Sequence, residues 1–152
     1  MSRVRTALSI LALIVLLGLM AAGIPFLFEK VLHIKGPDGE CLRINPKSVD
    51  VTVPDYTVMS AGVSAQEKRW LLTNCGKITW GGYKGRRVTF DGSLPLGPLE
   101  FDMPEIKPGE TREVFMTFDV PSVPGTYRAV YEIQRPDGLR FGDPFWVLIV
   151  VR

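Results

Sequence analysis

Histidine is nearly missing from this chain: His33 stands alone, and Cys41 and Cys75 are the only cysteines among 152 residues. A Ser-His-Asp triad would depend on His33, and a zinc site of three or four His and Cys ligands would consume every one of them. A cupredoxin-type copper site needs two His and one Cys, and the Cys-x-x-Cys-His run for haem attachment does not occur. Asp102, Glu105 and Glu110 lie in one proline-rich stretch, but no Asp-x-Asp spacing gathers oxygens around a calcium ion. No cofactor, metal or small-molecule substrate is therefore expected, and the chain is not expected to be an enzyme. Net charge is scarce too. The formal +2 resides in Arg3 and Arg5; without them 16 basic residues face 16 acidic ones, so nothing polybasic remains to bind nucleic acid.

What is present divides into two parts. No charge falls between Arg5 and Glu29, and Ala7 to Phe28 is an apolar run of 22 residues. At about 1.5 Å per residue this run spans roughly 33 Å as a helix, enough to cross a hydrocarbon core of about 30 Å. A cleaved secretory signal is the competing reading, with Ala21-Ala22-Gly23 as the small-residue site. Against it, signal cores usually run about 7–15 residues, Pro25 lies just beyond that site, and the apolar run continues to Phe28. Arg3 and Arg5 place the N-terminus in the cytoplasm by the positive-inside tendency, so under either reading the rest lies outside the cytoplasm. The expected organisation is a cytoplasmic tip and transmembrane anchor over 1–28, a juxtamembrane connector over 29–47 that includes His33, and one domain over 48–152.

From Ser48 onward the pattern has period two. Val49, Val51 and Val53 alternate with polar residues up to Pro54. Trp70, Leu72 and Asn74 share one face of Gln66–Asn74, and Val88 and Phe90 alternate within Arg86–Asp91. Val114, Met116, Phe118 and Val120 form one side of a further run, and Tyr127, Ala129, Tyr131 and Ile133 another. Phe145 to Val151 is apolar at nearly every position, as expected of a strand covered on both faces. Lys107-Pro108-Gly109-Glu110 and Val123-Pro124-Gly125-Thr126 are turns in which Pro presets one φ and Gly supplies a positive one. Short strands at spacings of about ten residues, with no second helix, predict an antiparallel β-sandwich. Pro124-Gly125-Thr126-Tyr127 points to a tyrosine-corner-like tie.

The stretch from about Val49 to Val151 resembles the FW (four-tryptophan) domain, an immunoglobulin-like sandwich best known from selective autophagy receptors and found also in bacterial extracytoplasmic proteins. The matching residues are Val53-Pro54-Asp55, Trp70 to Gly76, Trp80, Lys107 to Glu110, Pro124 to Tyr127, and Phe141 to Val147. Three signature tryptophans fall on Trp70, Trp80 and Trp146; the fourth position is Tyr131, which keeps an aromatic. The resemblance implies an immunoglobulin-like fold and a non-catalytic module that recruits protein partners. It implies nothing about residues 1–47.

Trp70 and Tyr131 fall on inward positions and are expected in the core. Trp146 points opposite to Val147 and Ile149, toward a second layer or the sandwich edge. Trp80, Tyr83, Lys84, Arg86 and Arg87 form a glycine-rich run with two aromatics and three cations, a candidate partner-binding loop at one end of the sandwich. Cys41 and Cys75 lie in what would be an oxidising compartment, where a disulfide is permitted. Cys75 sits in an Asn-x-Gly turn and Cys41 in a segment the pattern does not place, so the sequence leaves the bridge open. The whole reads as a single-pass membrane protein with an extracytoplasmic protein-interaction or scaffolding domain. Two alternatives remain: a small accessory subunit of a respiratory or photosynthetic membrane complex, and a cell-wall or glycan-binding module.

Overall fold

The computed structural model describes residues 36, 38–47 and 49–152. The expected anchor over 1–28 lies outside them, as does the first part of the connector. Among the described residues eight strands follow one another: β1 (Leu42–Arg43), β2 (Thr57–Met59), β3 (Gln66–Asn74), β4 (Lys84–Asp91), β5 (Glu100–Asp102), β6 (Thr111–Phe118), β7 (Gly125–Gln134) and β8 (Arg140–Val151). They make two sheets, ordered β1-β3-β6 and β2-β8-β7-β4-β5. Neighbours are antiparallel except β2, which runs parallel to β8. This is the all-β sandwich that the spacing of short strands predicts.

The alternating strands bury the residues their period selects. Trp70, Leu72 and Asn74 of β3 face inward, as do Val114, Met116 and Phe118 of β6 and Tyr127, Ala129, Tyr131 and Ile133 of β7. Trp70 is the hub of the core, with Phe145 edge-on at 5.0 Å, Phe101 stacked at 5.9 Å and Tyr131 tilted at 6.1 Å between ring centroids. Its indole N–H donates across the sandwich to the Trp146 carbonyl at 2.9 Å, tying β3 to β8. The buried Tyr131 hydroxyl donates to the carbonyls of Pro98 (3.0 Å) and Leu96 (3.3 Å), pinning the proline-rich connection. The Tyr127 hydroxyl donates to the Val123 carbonyl at 2.9 Å and meets Ser93 Oγ at 3.0 Å, the tie expected at that corner.

Four expectations give way to local physics. Residues 49–53 form only an isolated bridge, Asp50 to Trp70, instead of a strand. The Thr52 hydroxyl enters the ladder, donating to the Glu67 carbonyl and accepting from the Arg69 N–H, and Val53 then turns to a left-handed φ of 50°. In β4, Arg87 pairs with Tyr131 but Thr89 with Val130; Val88 is the extra residue of a bulge, and Phe90 ends 44% exposed. Strand β8 starts at Arg140, earlier than its apolar run: Gln134 pairs with Arg140 and Ile133 with Phe141, and Gly142, at a φ of 84°, sits where a side chain would strike Leu42. It is also covered on one face only: Phe145, Val147, Ile149 and Val151 are buried, while Trp146 is 36% exposed and Leu148 and Val150 are half-buried.

Candidate partner-binding surface

The loop singled out by composition is not an exposed platform. Gly82, at φ 69°, folds Tyr83 back over Trp80, and the two rings stack at 6.3 Å and 13°. Phe141 packs edge-on to both, and Trp80 and Tyr83 are buried. The backbone of Trp80 exchanges hydrogen bonds with Ile106 at 2.9 and 3.2 Å, which fixes it against the loop before β6. The cations that follow belong to β4. Arg86 pairs with Glu100 at 2.6 Å, Lys84 lies 3.5 Å from the same carboxylate, and Arg87 donates to the Gly97 carbonyl at 2.6 Å. Those two cations hold the Glu100 carboxyl below the usual carboxylate range, with the Arg86 hydrogen bond foremost. Composition alone sees aromatics and charge in one glycine-rich run; the fold sends the aromatics inward and occupies the charges along the β4–β5 edge.

Trp146 does present an aromatic surface. It faces outward because its neighbours Phe145 and Val147 fill the core, and two groups hold its indole in place. The ring N–H reaches both carboxylate oxygens of Asp55, at 3.0 and 3.1 Å. The Arg128 guanidinium lies 5.2 Å from the ring centroid, close enough for a cation–π contact. Tyr56 follows Asp55 with a left-handed φ of 63° and donates its N–H to the Leu148 carbonyl at 3.0 Å, leaving its side chain 66% exposed. The register sets Val130 opposite Trp146, Arg128 opposite Leu148 and Val58 opposite Val150 on the same outer face.

Two grooves flank the indole. One, of about 360 Å³, runs between Trp146 and the connector and is lined by Ile44, Val49, Asp50, Trp70 and Pro144 among others. The second, of about 410 Å³, lies between Trp146 and Tyr56, with Asp91, Arg128 and Leu148. Beneath the first groove Lys68 is fully buried, its ammonium donating to Asp50 Oδ1 at 2.5 Å and to the Val53 carbonyl at 2.6 Å. Burial pushes the Lys68 ammonium below the usual lysine range, against the opposing pull of Asp50. Apolar walls, an oriented indole and a few placed charges suit noncovalent recognition. Among the described residues no group of three or more His, Cys, Asp or Glu is placed to hold a metal ion.

The described part of the connector lies on the sandwich and helps build the first groove. Cys41 and Cys75 are joined by a disulfide, with Cα atoms 4.9 Å apart. Next to it the buried Glu40 carboxylate accepts from Arg135 at 2.7 Å, and Asp38 meets the same guanidinium at 2.6 Å. The Asp38 hydrogen bond leads the causes that raise the Arg135 pKa. Leu42 and Arg43 pair with Asn74 and Thr73, adding β1 to the edge of the sheet.

A family described as the Ig-like domain from next to BRCA1 gene matches residues 52–151. "Protein NBR1 homolog" of Arabidopsis thaliana is 30% identical over 108 residues, which is 68% of this chain and 15% of that protein. "Protein JOKA2" of Solanum tuberosum is 29% identical over 107 residues, 67% of this chain and 12% of that protein. The chain thus spans only a small part of the length of these relatives. Native alpha-2-macroglobulin from Escherichia coli, from domain MG7 to the C-terminus, overlaps 79% of this chain and 17% of its own at 18% identity, with a TM-score of 0.45. The match over residues 52–151, on a two-sheet β-sandwich, places this chain in the family of Ig-like domains from next to BRCA1 gene.

Proposed function

We propose that this protein is a membrane-anchored, non-enzymatic interaction module that captures a protein partner outside the cytoplasm. Residues 1–28 serve as cytoplasmic tip and anchor, 29–47 as connector, and 48–152 as an Ig-like domain of the FW type. The uncharged run from Ala7 to Phe28 behind Arg3 and Arg5 supports the anchor and its orientation. The observation that carries the binding reading is Trp146: a tryptophan 36% exposed, held by Asp55 and Arg128 between two grooves. Burial energetics favour such a residue as an interface anchor, since its large apolar area is already ordered before a partner arrives. The named relatives match over only 15% and 12% of their own lengths and fix no partner.

The test uses the full chain in mild detergent with a photoreactive residue in place of Tyr56. Cross-linking to one protein in a fixed stoichiometry, suppressed by Trp146→Ala, is the expected result. Labelling spread over detergent and unrelated proteins, unchanged by Trp146→Ala, would contradict the reading. Protease accessibility of the domain from the extracytoplasmic side checks the topology separately.

A further inference from the structure

Among the described residues the two sheets have four edges, and three of them end in very short strands: β1 with two residues, β2 and β5 with three each. The fourth edge is β6, eight residues long. Natural sandwiches protect such an edge by shortening it, by bulges, or by Lys and Pro. Strand β6 reads Thr-Arg-Glu-Val-Phe-Met-Thr-Phe, with its charges confined to Arg112 and Glu113 near its start and with neither Lys nor Pro, and it pairs with β3 without a register shift.

Which backbone groups point outward follows from the bonds around β3. The Val51 N–H donates to the Arg69 carbonyl, the Leu71 N–H to Val49 and the Cys75 N–H to Cys41, so odd-numbered residues of β3 face away from β6. The Asn74 N–H donates to the Glu110 carbonyl and the Gly109 N–H to Asn74, so even-numbered residues face β6. With Lys68 opposite Met116 and Trp70 opposite Val114, the even-numbered residues of β6 are the ones bonded to β3. Glu113, Phe115 and Thr117 therefore direct their N–H and C=O groups to the free edge. Their side chains lie on the outer face, where Phe115 is 50% exposed with the Arg69 guanidinium 5.2 Å from its ring centroid.

We propose that a second copy of this chain pairs antiparallel along β6, with the two-fold axis at Phe115. In this register Phe115 faces Phe115 of the other copy, and Glu113 faces its Thr117. All of these are edge-facing residues, so each pair exchanges both backbone bonds, roughly six in all. The pleat stays in phase, so Val114 and Met116 remain on the inner face in both copies. An axis at Glu113 would set two carboxylates against each other, and an axis at Val114 would set Glu113 against an aromatic ring. The axis at Phe115 pairs two half-exposed rings instead.

The full chain in detergent micelles tests this. Cys41 and Cys75 are bridged to each other, so a cysteine introduced on β6 is the reporter. Mild oxidation should link Phe115→Cys into a covalent dimer, and should link Glu113→Cys only to Thr117→Cys in a mixture. Phe115→Lys places two cations on the axis, and Thr117→Pro removes an N–H that the β3–β6 register directs to the outer edge of β6. Each should weaken association by roughly tenfold or more, read by sedimentation. Retained melting behaviour identifies a folded variant, and Phe115→Lys serves if Thr117→Pro does not fold. A wild-type monomer, cross-linking in a different register, or a dimer indifferent to both substitutions would overturn the proposal.

Discussion

Removing Asp50 should destabilise the domain more than removing the lysine it neutralises. Lys68 is completely buried, whereas the Asp50 side chain is 22% exposed. Asp50→Ala leaves an ammonium in the core with the Val53 carbonyl as its remaining hydrogen-bond acceptor and Asp55 as a weaker electrostatic influence. Breaking a buried pair from one side costs about 3–5 kcal/mol; the water-accessible rim of this pair lowers the expectation to about 2–3 kcal/mol. Lys68→Met keeps the aliphatic stem, leaves Asp50 within reach of water, and forfeits the bond to Val53, for about 1 kcal/mol. The double variant should resemble Lys68→Met, because it no longer holds an unpaired charge. Urea unfolding followed by tryptophan fluorescence gives all three values. A pH series adds a signed check. The folded Lys68 pKa lies below the usual 10.5, so between the two values the unfolded state binds more protons and stability rises with pH. Losing Asp50 lowers the folded value further, so the Asp50→Ala deficit should shrink as pH climbs toward 10.5. A Lys68→Met cost equal to or above that of Asp50→Ala would refute the reasoning.

Two further outcomes follow from the same structure. Replacing Cys41 and Cys75 by Ser opens a closure across 34 positions and should cost about 3–4 kcal/mol in the chain-entropy account, read by urea unfolding. An undiminished midpoint would show that Glu40–Arg135 and the β1 pairing hold the connector alone. Burial pushes the Tyr131 hydroxyl up to about 12 from its ordinary 10, so the folded state keeps that proton longer. Its contribution is fully present below pH 10 and is lost between 10 and 12, by about 2–3 kcal/mol. Tyr131→Phe should flatten that alkaline fall in melting temperature.

The strands that sequence reads well are those whose period survives intact. In β3, β6 and β7 the buried residues recur at every second position, and Val130 is the one buried residue off that parity. Lys68 sits on the inward parity of β3 beside Trp70, yet its charge argues for the surface; only its partners Asp50 and Val53, distant in sequence, make burial affordable. Strands of three residues such as β2 and β5 carry too few positions to show a period. The burial of Trp80 and Tyr83 is not legible because composition does not reveal the direction in which Gly81-Gly82 turns the chain. Trp146 was legible in part: Phe145 and Val147 claim the core and force it outward. What sequence hides there is Asp55, far away along the chain, which fixes the indole from across the groove.

The central claim, that recognition resides on the Trp146 face and not on the 80–87 run, rests most directly on the affinity of the purified partner for paired variants. Trp146→Ala should weaken binding by about thirtyfold or more, the loss of roughly 2 kcal/mol typical of an anchoring residue. Lys84→Ala and Arg86→Ala should leave the affinity within about threefold, because both side chains are engaged with Glu100. Unchanged binding by folded Trp146→Ala, with loss in Lys84→Ala or Arg86→Ala, would contradict the account.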